Sequence, residues 1–174
     1  YSNYFDIFFN IETYIYTFVI SFILGSALFL ISQKSAKKIT IFEKILTVLS
    51  GYILFPLIIS IPYYLSIQNL SFISSYLEAV SGFTSTGFTV FENIKQLDES
   101  LILWRSTSQW IGGIYFLFSI LLLIDIFDKN LKKSFTEYLS FNYKEILTQS
   151  IKIVIIYSLL TLMIFILFKI IDLR

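Results

Sequence analysis

Apolar and polar positions alternate along this chain on a coarse scale: four long apolar stretches, separated by charged segments, and one short amphipathic stretch among them. Thr13 to Ser32 carries no charge and matches the roughly 20 residues that a membrane-spanning helix needs. Ile45 to Gln68 is also uncharged and holds Pro56 and Pro62. Because proline removes a backbone donor and crowds the preceding turn, a kink is expected near Pro56. Leu101 to Ile124 is a third span, with Arg105 near its start and Gly112-Gly113 near its middle. Ile151 to Ile171 is the fourth, with Lys152 and Lys169 placed to snorkel toward its two ends.

Asn69 to Ser100, between the second and third spans, has a different pattern. Ile73, Leu77 and Val80 repeat at i, i+4 and i+7, which predicts a helix over Phe72 to Phe83. A helix of that length rises about 18 Å, little over half of a hydrocarbon core of roughly 30 Å. It can enter a membrane but not cross it. Asn69 or Ser71 is its expected N-cap, and Gly82 is expected to help end it. The polar run Thr84-Ser85-Thr86-Gly87 follows. Phe88 to Ile94 would then lead the chain back out, and Asp98-Glu99-Ser100 reads as a solvated loop. A polar turn at membrane depth requires protein or water around its backbone. Its free carbonyls can replace the hydration shell of a cation, as in a selectivity filter. The competing reading is an extramembrane loop carrying one amphipathic helix.

Composition points to lipid as the solvent. Hydrophobic residues make up 56% and charged residues 14% of the 174, against roughly 25% charged in an ordinary soluble domain, and the mean hydropathy is +0.78. The net charge of +1 and the lack of any basic block give no hold for nucleic acid. Cysteine and histidine are both absent, which removes disulfides, thiolate and imidazole metal sites, and a histidine base. Thr84, Ser85 and Thr86 are hydroxyl nucleophiles without a neighbouring base, so no enzyme activity is expected. The chain begins at Tyr1 and its single methionine is Met163, which reads as part of a longer product.

Lysine distribution sets an expected orientation by the positive-inside rule. Lys34, Lys37, Lys38 and Lys44 follow the first span, and Lys129, Lys132, Lys133 and Lys144 follow the third. Only Lys95 lies between the second and third, beside Glu78, Glu92, Asp98 and Glu99. Tyr1 and the filter turn are therefore expected on the extracellular or periplasmic side of a multi-pass inner (plasma) membrane protein. Arg105 is costly at membrane depth, at least about 2.5 kcal/mol when central. Pairing with Glu78, snorkelling to the outer headgroups and a direct role in permeation all remain open for it.

Glu78-Ala79-Val80-Ser81-Gly82-Phe83-Thr84-Ser85-Thr86-Gly87, followed by Leu103-Trp104-Arg105-Ser106 and Gln109-Trp110-Ile111-Gly112-Gly113, resembles the first repeat of the Trk/Ktr/HKT superfamily of potassium transporters. The TrkH-type bacterial membrane subunit is the nearest type. The resemblance implies an all-α integral membrane fold whose repeat is transmembrane helix, re-entrant pore helix with filter loop, transmembrane helix. It divides the chain into an extra N-terminal helix and cytoplasmic loop (1–44), the first pore-loop repeat (45–127), a cytoplasmic linker (128–150) and the first helix of the next repeat (151–174). It implies that Thr84, Ser85, Thr86, Gly87 and Phe88 line the ion path, with K+ passing over the backbone carbonyls of Thr84 to Gly87. Glycine at position 87 goes with potassium, and serine there with sodium, in plant members. Glu78, Arg105, Gly112 and Gly113 are supporting residues, the glycines through close packing. The implied partners are K+, the lipid bilayer, the remaining pore repeats, a second copy in a homodimer and a cytosolic nucleotide-binding ring of the TrkA type. A sodium-permeable member, or an assembly protein with a vestigial pore loop, is the alternative.

Overall fold

The computed structural model describes residues 11–32, 40–92, 94, 97–127 and 143–171. They are all-α, with no strand among them, and hold five long or medium helices: α1 (Ile11–Ser32), α2 (Ile41–Ser66), α3 (Phe72–Thr84), α4 (Glu99–Phe127) and α5 (Tyr143–Ile171). Four of these, all but α3, contain a stretch long and apolar enough to cross a membrane. The protein is of the all-α integral membrane type.

Each spanning helix starts earlier than hydropathy alone predicts, whereas α3 starts at Phe72 as expected, and local chemistry explains two of the early starts. Thr40 and Glu43 form a reciprocal capping box, so α2 begins at Ile41 rather than Ile45. The Asp98 side chain accepts from the Ser100 amide at 3.3 Å and its hydroxyl at 3.0 Å, so Glu99 opens α4 and the expected solvated loop is a helix cap. Helix α5 begins at Tyr143, which makes residues 143–150 helical where a linker over 128–150 was expected; residues 128–142 lie outside the described ones, as do all the counted lysines except Lys44 and Lys144.

The chain divides into two compact units, residues 1–113 and 114–174, with the boundary inside α4. In the first, large apolar side chains of α1 and α2 such as Phe18, Phe22, Leu46 and Ile53 face outward, while Ser60, Ser75, Glu78, Ser81 and Ser108 are buried. This inside-out distribution suits a hydrocarbon solvent, where polar groups must find partners within the protein. Helix α2 runs through both prolines without a break in its assignment. Side-chain donors reach carbonyls three residues before each proline: Tyr76 Oη to Ile53 O at 3.5 Å and Trp104 Nε1 to Ile59 O at 3.0 Å. Each of these carbonyls lies in the turn that a proline ring crowds, and a carbonyl oxygen has a second lone pair for an outside donor. Trp104 is thereby bonded to α2 and also packs on Tyr14 with ring centroids 5.5 Å apart. In the second unit, hydroxyls return to their own helix, Ser119 to Tyr115 O at 2.8 Å and Ser158 to Val154 O at 2.7 Å.

Candidate ion-filter site

Helix α3 is the element that carries the site. Ser71 caps it, accepting from the Ser74 amide at 3.1 Å, while Asn69 sits before it in the left-handed region with φ 66. Its last turn does not end at Gly82. It continues to Thr84, and Ser85 takes the left-handed conformation that stops it, with φ 55. The Ser85 amide donates to Gly82 O and the Thr86 amide to Ser81 O, each at 3.1 Å. These two bonds form a Schellman cap, normally built on glycine at the left-handed position.

The cap has a direct consequence for the turn. The amides of Ser85 and Thr86 are tied back into α3, whereas no hydrogen bond among the described residues reaches the carbonyls of Thr84, Ser85, Thr86 or Gly87. All four residues are exposed. Gly87 has φ 80, in the region that favours glycine. An added Cβ there would meet nothing within 4 Å, so backbone conformation rather than crowding is what requires glycine in this chain.

The limb leaving the turn is laced to α3 by a buried charge. Glu78 is fully buried at 0% exposure. Its Oε2 accepts from Thr89 Oγ1 and from the Val90 amide, both at 2.9 Å. Its Oε1 lies 3.0 Å from Arg105 Nε, an ion-pair contact rather than a well-aligned hydrogen bond. Arg105 also donates from Nη2 to Phe88 O at 3.4 Å, and the Ser81 hydroxyl donates to that same carbonyl. Helix α4 thus reaches the loop through one guanidinium.

The loop is thus capped on one side and cinched on the other. The family described as TrkH, cation transport protein, matches residues 10–172. The chain belongs to the TrkH family.

Among curated relatives, this TrkH-family chain is 44% identical over 55 residues to an uncharacterized cation transporter of Methanocaldococcus jannaschii, covering 32% of the chain and 12% of that protein. It is 32% identical over 99 residues to the Trk system potassium uptake protein TrkG of Escherichia coli, covering 56% and 20%. It is 42% identical over 55 residues to the Trk system potassium uptake protein TrkI of Halomonas elongata, covering 32% and 11%. The matched stretches are thus at most a fifth of those relatives' lengths. No solved structure matches it.

In the TrkH-family chain, Glu78 and Arg105 are brought together, and Thr84 to Gly87 form one exposed loop. Phe88, expected to line the ion path, is exposed and follows the four-carbonyl run. Its carbonyl accepts from Ser81 and Arg105, so it anchors the loop. Gly112 lies against α3, where an added Cβ would come within 1.8 Å of Phe83 O; Gly113 beside it is half-buried. Ser81, Thr89 and Val90 are supporting residues that the sequence reading did not single out. Their bonds depend on the loop folding back across 7 to 12 positions, which no local pattern encodes.

Proposed function

We propose that this chain supplies one wall of a potassium-conducting pore, with K+ passing over the carbonyls of Thr84, Ser85, Thr86 and Gly87. The observation that carries this reading is the division of labour in the loop. The Schellman cap uses the amides of Ser85 and Thr86, Arg105 and Ser81 hold the Phe88 carbonyl, and four consecutive carbonyls between them are left unbonded. Oxygen atoms held in this way replace an ion's water at no cost of rearranging the loop. Buried Glu78 is neutralised by Arg105 and stiffens the wall without competing for the ion. Potassium is favoured because two of the relatives are named as potassium uptake proteins.

In this reading the loop enters and leaves from the outer side of the inner membrane, and further pore walls complete the filter. A homodimer and a cytosolic nucleotide-binding ring of the TrkA type are the partners of the assembled transporter. The test is Gly87→Ser in the whole transporter that contains this segment. A side chain strains the backbone at φ 80, so the potassium-to-sodium uptake ratio should fall while the amount in the membrane stays the same. An unchanged ratio would remove the filter assignment.

A further inference from the structure

Two glycines face one another's helices where α3 ends. An ideal Cβ on Gly112 of α4 would lie 1.8 Å from Phe83 O, 2.7 Å from its carbonyl carbon and 3.1 Å from its Cα. All three are backbone atoms, so no rotamer change relieves the overlap. On the other helix, a Cβ on Gly82 would lie 2.6 Å from Ser108 Oγ, a hydroxyl already bonded to Arg105 O at 2.7 Å. Phe83 cannot retreat in the opposite direction. Its side chain is buried, stacked on Phe55 at 5.5 Å and edge-on to Tyr52 at 5.8 Å, both on α2. The next residue in the chain is Thr84, the first of the four unbonded carbonyls.

We propose that this two-glycine seam sets the position of the filter loop, with Gly112 acting as a positioning residue that touches no ion. The inference rests on the filter reading above. The end of α3 is wedged between aromatic rings on α2 and bare backbone on α4, so the loop's place is fixed by how closely α4 approaches. Adding one methyl group at Gly112 must move the last turn of α3, and the cap bonds of Ser85 and Thr86 carry that movement into the carbonyls. Close-packed backbones transmit such shifts rather than absorbing them. Ion discrimination by carbonyls depends on the spacing and number of ligands, so selectivity should respond more than insertion does.

The experiment uses the whole transporter containing this segment and measures potassium and sodium uptake together with the amount in the membrane. Gly112→Ala should lower the potassium-to-sodium ratio about tenfold, equivalent to about 1.4 kcal/mol of lost discrimination. Gly25→Ala, where an added Cβ meets nothing within 4 Å, should leave the ratio unchanged. Gly82→Ala should also lower the ratio, and Gly82→Ala with Ser108→Gly, which removes the obstructing hydroxyl, should restore it. If Gly112→Ala does not reach the membrane, this rescue pair decides. Failure of the rescue, or a normal ratio in both single variants while Gly87→Ser shifts it, would overturn the seam and leave the filter standing. A normal ratio in all of them, Gly87→Ser included, would overturn the filter itself.

Discussion

Glu78 is the residue on which the loop depends most. A carboxylate with no exposure and three partners is stable only as a set: Arg105, Thr89 and the Val90 amide satisfy it together. Removing one member of a buried ion pair leaves the other uncompensated and costs about 3–5 kcal/mol. Arg105→Ala is therefore expected to lower the thermal stability of the solubilised protein by that order, and Glu78→Ala likewise. The double variant should be less destabilised than the sum of the two, because the groups act as one network. Additive losses would show that the pair does not hold the loop. Gly87 has a different character, since a side chain added there would meet nothing within 4 Å. Its replacement should alter conduction and cost only the backbone strain at φ 80, about 1–3 kcal/mol, less than the loss of Glu78.

At the scale of elements, the half-length helix α3 is held from two directions by different chemistry. Aromatic packing holds it to α2, and backbone approach with the Arg105–Glu78 ion pair holds it to α4. Side-chain donors from other helices also reach α2 carbonyls in the turns before its two prolines. Trp104 uses one of these and ties the start of α4 to α2. Trp104→Phe keeps the ring against Tyr14 but removes the donor, so the midpoint of unfolding in detergent should fall by an amount equivalent to about 0.5–1.5 kcal/mol. A Trp104→Phe protein as stable as the parent would mean that Ile59 O finds another donor.

For the whole molecule, the orientation proposed above has a simple check because the chain contains no cysteine. Single cysteines at Glu92, beyond the filter loop, and at Lys37, in the first lysine-rich segment, should react with an impermeant thiol reagent from opposite sides of the membrane. Reaction of both from one side would reverse or break the proposed topology. Four helices long and apolar enough to span, with outward-facing Phe, Leu and Ile on α1 and α2, place the protein in a bilayer. Four unbonded carbonyls on an exposed loop then require either water or further protein around them.

The hydrophobic pattern by itself determined the number of apolar spans, the existence of a helix too short to cross, and the polar turn after it. These are local properties: a span is a count of apolar residues, and a half-helix is a period and a length. Residue identities also marked Glu78, Arg105 and Gly87 as unusual, because a charge or a flexible residue beside such a turn has few structural uses. Some boundaries were legible in principle, since Thr40 and Glu43 spell a capping box ahead of the apolar run. Tertiary structure alone decided how these residues are used. Gly82 reads as a helix terminator, yet α3 runs through it and Ser85 ends the helix instead, while Ser108 of α4 packs where a Cβ on Gly82 would lie. Phe88 reads as a residue lining the ion path, and its carbonyl is bound by Arg105 and Ser81 once the loop folds back on α3. In both cases the deciding partner lies on another segment, and only its approach in three dimensions fixes which bond or contact forms.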